Sequence, residues 1–240
     1  MGIFTLYFST LLMAHVVQIQ ASDPLARLLT NKPEVKKEIV DLMNKLRAKV
    51  VPSASNMLQV EWSEEAAQNA EKWANKCTLK HSKAEDRKIS RYGCGENLYM
   101  STNNATWAHA IVTQFDEYRD FEYGKGAKTK TSVVGHYTQI VWATSWEVGC
   151  AVARCPGKDF EYYYVCQQCP AGNVNSVAYP YKSGIGCADC PNNCKNDLCT
   201  NPCLAENKFT NCNALVKYCK SSDTIAKGCK ASCTCENKIF

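Results

Sequence analysis

Sixteen cysteines in 240 residues limit what this chain can fold into more than any other feature, because each one must be paired, metal-bound or kept reduced. Their placement is uneven. Cys77, Cys94, Cys150, Cys155, Cys166 and Cys169 precede residue 186, while Cys187, Cys190, Cys194, Cys199, Cys203, Cys212, Cys219, Cys229, Cys233 and Cys235 crowd into the last 54 residues. Six and ten are both even, so each part can close its own bridges. Between the groups lies Tyr179-Pro-Tyr-Lys-Ser-Gly-Ile-Gly186, a run of turn formers suited to a linker. Two units are therefore expected.

Disulfides need an oxidising compartment, and the N-terminus suggests one. Residues 3–17 are mostly apolar, and Ala21 offers a small residue for cleavage before Ser22, so residues 1–21 read as a signal peptide. The stretch lacks a Lys or Arg at its start, which leaves a buried N-terminal helix as the rival reading. Secretion is preferred because the cysteines downstream require it. A zinc ribbon competes for some of them: Cys166-x2-Cys169 and Cys187-x2-Cys190 stand 17 residues apart. Twelve further cysteines in even groups favour disulfides over that metal site. With 28 Lys+Arg against 23 Asp+Glu, the net charge of +5 forms no basic stripe, so no nucleic acid is expected as partner. No run of 18 apolar residues occurs, so membrane insertion is not expected either.

In the larger part, Asn31 and Glu34 have the spacing of a capping box, with Pro33 in the first turn. Val35, Ile39, Leu42, Met43, Leu46 and Val50 then form one apolar helical face, with Pro52 as terminator. Ser63 is placed to cap a second helix with Ala66, Ala70, Trp73, Ala74 and Cys77 inward. A third is expected over 106–124, with Trp107, Ile111, Phe115 and Tyr118 on its buried side. Residues 148–155 and 162–169 are rich in β-branched and aromatic side chains and read as antiparallel strands. Helices followed by hairpins predict an α+β fold.

After residue 21 three histidines remain. His109 lies off the apolar face of the third helix and reads as a surface residue. His81 follows Cys77 in a polar loop, and His136 lies in Gly135-His-Tyr-Thr-Gln-Ile-Val-Trp142. Glu96 lies in Cys94-Gly-Glu-Asn-Leu98, and Glu117 is off the buried stripe of the third helix. No serine-hydrolase triad motif, zinc-protease helix motif or phosphate-cradling glycine loop is present.

Four segments in order, Pro52-Ser-Ala-Ser-Asn-Met-Leu58, Gly95-Glu-Asn97, Gly135-His-Tyr-Thr-Gln-Ile-Val-Trp142 and Tyr163-Tyr-Val-Cys-Gln-Gln-Cys-Pro-Ala-Gly-Asn173, resemble the signatures of the CAP superfamily. With the ten-cysteine tail, the chain resembles the cysteine-rich secretory proteins. The resemblance implies an α-β-α sandwich CAP domain over 22–186, a disulfide hinge over 187–202 and a small cysteine-rich domain over 203–240. It implies a cleft lined by His81, Glu96, Glu117 and His136, whose two histidines can hold a divalent metal such as zinc, with no cofactor required. It implies no established catalysis. An oriented substrate and an oxyanion donor are both missing from the motif set, so an enzyme is not expected. Implied disulfides are Cys77–Cys155, Cys94–Cys169, Cys150–Cys166, Cys187–Cys194, Cys190–Cys199, Cys203–Cys235, Cys212–Cys229 and Cys219–Cys233. Spacing alone leaves three pairings open for four cysteines and fifteen for six. Two departures from the family pattern are Met43 in place of a histidine and Gln168 in place of a tyrosine. The second weakens any carry-over of egg-surface binding.

A module of 54 residues buries too little apolar surface to fold without cross-links. Residues 203–240 also resemble the fold of potassium-channel-blocking sea-anemone toxins. They carry six lysines, of which Lys217 stands beside Tyr218, with Phe209 nearby, as a cation-plus-aromatic contact face. Lysines also serve merely to keep a small module soluble. Together these features predict a secreted, extracellular, non-enzymatic monomer that binds and modulates a membrane ion channel, for calcium or potassium, through its tail. Rival readings are a gamete or cell-surface adhesion factor, and a metal-dependent hydrolase or lipid binder using the cleft. Asn104-Ala-Thr106 is the one usable glycosylation sequon.

Overall fold

A computed structural model describes residues 23–240; the expected signal peptide lies outside the described residues. The two central strands explain the architecture. Strands β5 (Glu147–Arg154) and β6 (Tyr162–Cys169) pair antiparallel, and every residue of both is buried except Arg154. Because side chains alternate across a strand, both faces of the sheet must be covered. Val148, Cys150, Val152, Tyr164 and Cys166 point to one face, while Ala151, Ala153, Tyr163 and Val165 point to the other. Short β1 (Glu61–Trp62) runs parallel beside β5, and β2 (Gly95–Ser101) runs antiparallel beside β6, giving the order β1-β5-β6-β2.

Helix α1 (Pro33–Arg47), α3 (Trp107–Phe115) and short α4 (Gly135–Ile140) cover the first face. Helix α2 (Glu64–Ala74) covers the second through Ala70 and Ala74. The result is an α-β-α sandwich. Gly149 shows how close α2 lies, since a Cβ there would stand 2.0 Å from the Ala67 nitrogen. Ser63 caps α2 as expected, accepting from Ala66 N at 3.5 Å.

Three local expectations are corrected. The Asn31–Glu34 capping box does not form: Lys32 occupies the cap position without a side-chain bond, and Pro33 begins the helix with its fixed φ and absent N–H. Helix α1 stops at Arg47, five residues before Pro52. Finally, α3 ends at Phe115 and tightens into a 3-10 turn (Asp116–Asp120). Three residues per turn instead of 3.6 rotate the stripe, so Tyr118 is exposed rather than inward.

Two small hairpins follow the sandwich plan, β3 (Phe121–Glu122) with β4 (Gly126–Ala127), and β7 (Cys194–Lys195) with β8 (Leu198–Cys199). The tail holds α5 (Cys212–Leu215), α6 (Asp223–Gly228) and α7 (Lys230–Thr234). Eight disulfides staple the chain. Cys77–Cys155, Cys94–Cys169 and Cys150–Cys166 lie in the sandwich. Cys187–Cys194 and Cys190–Cys199 follow. Cys203–Cys235, Cys212–Cys229 and Cys219–Cys233 hold the tail. Among the described residues no cysteine is free.

Residues 187–202 do not stand apart from the sandwich. Gln59 N donates to Cys199 O at 2.8 Å and Cys199 N donates to Met57 O at 2.7 Å. Cys187, Cys190 and Cys199 are buried with Leu58, Tyr92, Trp146 and Ile239 in one apolar cluster.

Candidate functional site

Strand β2 lies at the edge of the sheet and presents Glu96 and Asn97 to opposite faces, as consecutive strand residues must. The Glu96 side chain is fully buried. Its Oε1 accepts from Ser82 N at 2.9 Å and from the His81 ring at Nδ1, 3.0 Å. Its Oε2 accepts from Ser82 Oγ at 2.7 Å and Gln167 Nε2 at 3.3 Å, while Arg87 Nη1 stands 3.5 Å from Oε1. Burial alone pushes the Glu96 carboxyl upward. The bonds from His81 and Ser82, with the Arg87 charge, outweigh burial and hold it below the usual carboxylate range.

Glu117 makes the second pair. It sits in the 3-10 turn after α3, where its Oε2 accepts the first free N–H groups of α4, from His136 at 2.9 Å and Tyr137 at 3.1 Å. Its Oε1 accepts from His136 Nδ1 at 2.6 Å. Asn97 connects the pairs by donating from Nδ2 to the His136 carbonyl at 3.1 Å. Buried Gln114 on α3 adds a bond to Leu98 O at 3.0 Å. The structure thus brings His81 to Glu96 and His136 to Glu117, and joins the two pairs through Asn97 rather than by direct contact. Ser82, Arg87, Asn97, Gln114 and Gln167 were not singled out by sequence reasoning. The available cue was the Glu96-Asn97 adjacency on a strand, which sends one polar group to each face.

Each carboxylate lies against Nδ1 of its imidazole, which leaves Nε2 on the far side of both rings, turned away from its carboxylate. Carboxylate on Nδ1, lone pair on Nε2, is the arrangement of metal-ligating histidines. His81 is more open than His136, with side chains 56% and 30% exposed. Among the described residues, the three potential ligand atoms within 4.8 Å of one another belong to Cys187, Cys190 and Cys199, all consumed in disulfides. His81, Glu96, Glu117 and His136 do not bring three ligand atoms that close together, so they form no closed metal centre among the described residues. The Cys166–Cys190 ribbon spacing has the same outcome, since all four of its sulfurs are in disulfides.

In the tail, Lys217 Nζ lies 5.0 Å from the centre of the Tyr218 ring, which is 44% exposed. Phe209 is packed against Gly228, where a Cβ would meet its ring at 2.1 Å. Asn104 is exposed, and Thr106 of the same sequon caps α3 by accepting from His109 N at 3.1 Å. His109 is exposed, with its ring edge-on to Tyr99 at 6.0 Å.

A sandwich with two carboxylate-paired histidines, one in the loop after α2 and one on α4, followed by a disulfide-stapled tail, fits the CAP class of protein. Residues 40–168 match the family model described as CAP, cysteine-rich secretory protein family, and residues 187–240 match the one described as Crisp. The chain is 49% identical to cysteine-rich secretory protein 2 of Cavia porcellus, covering 98% of this chain and 97% of that one. It is 47% identical to cysteine-rich secretory protein 2 of Homo sapiens over the whole of both chains. Among solved structures it resembles NaASP2 with Zn2+, at TM-score 0.60 and 28% identity, covering 70% of this chain and 96% of that one. The chain belongs to the cysteine-rich secretory protein family, which is non-enzymatic.

Proposed function

We propose that the protein acts outside the cell, as a monomer, and regulates a membrane ion channel through residues 203–240, with residues 22–186 as carrier and 187–202 as the connecting hinge. The observation that carries this reading is the exposed Lys217–Tyr218 pair on a scaffold fixed by three disulfides. An ammonium backed by an aromatic face suits a vestibule lined by carbonyl or carboxylate oxygens. Phe209 supplies a second ring on the same module. Eight disulfides and relatives named as secretory support an extracellular location, and an exposed sequon at Asn104 fits glycosylation there. Among the described residues no helix is long and apolar enough to cross a membrane. Whole-cell recordings with the intact protein, on a panel of calcium and potassium channels, test the reading. At least one current should change, and Lys217→Glu should remove the change. A panel without any response overturns it.

The two oriented imidazoles favour a second property, loose zinc binding by His81 and His136. Bound there, the ion would supply a positive charge and open coordination positions. The solved relative with Zn2+ agrees with this reading. Zinc uptake by calorimetry should vanish in His81→Ala/His136→Ala; unchanged uptake overturns the assignment.

A further inference from the structure

Between the sandwich and the tail lies an open groove of about 420 Å³, a size suited to a small organic molecule. Trp146, Pro170 and Val174 line it from the sandwich side, and Glu206, Ile239 and Phe240 from the tail. Val174 and Phe240 remain 49% and 51% exposed, and both open onto this one space. Glu206 differs from Glu96: it is exposed on one side, its partial burial raises its carboxyl above the ordinary Glu value, and among the described residues it makes no salt bridge. The groove therefore combines unsatisfied apolar surface with an unpaired carboxylate.

We propose that this groove binds a small organic cation, a primary amine on an apolar body, with its ammonium on Glu206 and its body against Trp146, Ile239 and Phe240. A neutral apolar molecule would leave Glu206 desolvated and unpaired. An anion would be repelled, and a hard metal ion needs more oxygen ligands than one carboxylate supplies. An amine with an apolar body answers both demands together. Because its walls come from both halves, such a ligand also braces their joint. Among the described residues, the direct hydrogen bond from the sandwich to residues 203–240 is Tyr92 Oη to Cys203 O, at 3.3 Å.

Calorimetric titration of the intact oxidised protein with 2-phenylethylamine at pH 7 tests the site, with 2-phenylethanol as the neutral match. Saturable amine binding, at least tenfold tighter than the alcohol, is expected. Glu206→Gln should weaken it tenfold or more with the melting temperature unchanged. Affinity should also fall as the pH is lowered far enough for Glu206 to take up its proton, which partial burial moves above the ordinary Glu value. Hydrogen exchange around residues 200–203 should slow when the amine is bound. Absence of binding, equal binding of the alcohol, or undiminished affinity in Glu206→Gln overturns the proposal. Should that variant misfold, the comparison of the amine with the alcohol decides alone, and equal binding of the two overturns it.

Discussion

Arg47 is a buried charge, 1% exposed, with no carboxylate partner among the described residues. Its guanidinium instead makes five hydrogen bonds to the carbonyls of Leu58, Ile140, Trp142 and Ala143. Burial lowers its pKa to about 9, so it stays protonated at neutral pH. Three of these carbonyls lie at or just beyond the C-terminus of α4, where the helix dipole favours a cation. Leu58 belongs to the segment on which Cys199 docks. Arg47→Met strands four buried acceptors and should cost at least about 3 kcal/mol, read from urea unfolding with disulfides intact. Glu96 carries a pH signature. Its folded pKa is depressed, so its stabilisation is present above the unfolded value of about 4.3 and is lost as the pH falls through the lower folded value. Urea midpoints from pH 7 to 2 should show Glu96→Gln less stable at neutral pH and less pH-dependent in the acid range. Sequence pointed to Glu96 and Arg47 unequally. Glu96 stands in a recognisable motif, whereas Arg47, in the last turn of an amphipathic helix, carries no local mark of its burial.

At the scale of elements, legibility followed periodicity. Strands β5 and β6 were visible as continuous β-branched and aromatic runs, because a sheet covered on both faces leaves no polar alternation. The stripe of α1 was equally plain at Val35, Ile39 and Met43. Boundaries were less legible, since they depend on tertiary partners. The end of α3 illustrates this: Glu117 is held by the backbone of α4, and the chain tightens there into a 3-10 turn that no local residue announces. Short β1, two residues long, exists because Glu61 N and Ser63 N find Trp146 and Val148 carbonyls across the sheet. Gly149 was silent in the sequence but sets the distance of α2 from β5. Gly149→Ala should push that helix outward and cost about 1–3 kcal/mol, visible as a lower melting temperature, whereas Gly157→Ala at an open turn should act only through its positive φ.

For the whole molecule, cysteine counts gave two even groups but not the partners; the fold brings each pair to a Cα–Cα distance between 4.1 and 5.8 Å. The attachment of Cys199 to the backbone of residues 57–59 was also hidden, because main-chain pairing leaves no mark in side-chain identity. Cys190→Ala/Cys199→Ala should leave β5 and β6 intact while weakening this clamp. The Gln59 amide, which bonds to Cys199 O, should then exchange with solvent much faster, by roughly tenfold for each 1.4 kcal/mol lost. The separation of the bridges into residues 77–169 and 187–235 has a further consequence for how the chain is made. When residue 169 emerges from the ribosome, every sulfur of the first half already has its mate outside, and none of the second half has yet emerged. Vectorial translation thereby keeps apart two sets of thiols that, released together, would offer far more wrong partners than right ones.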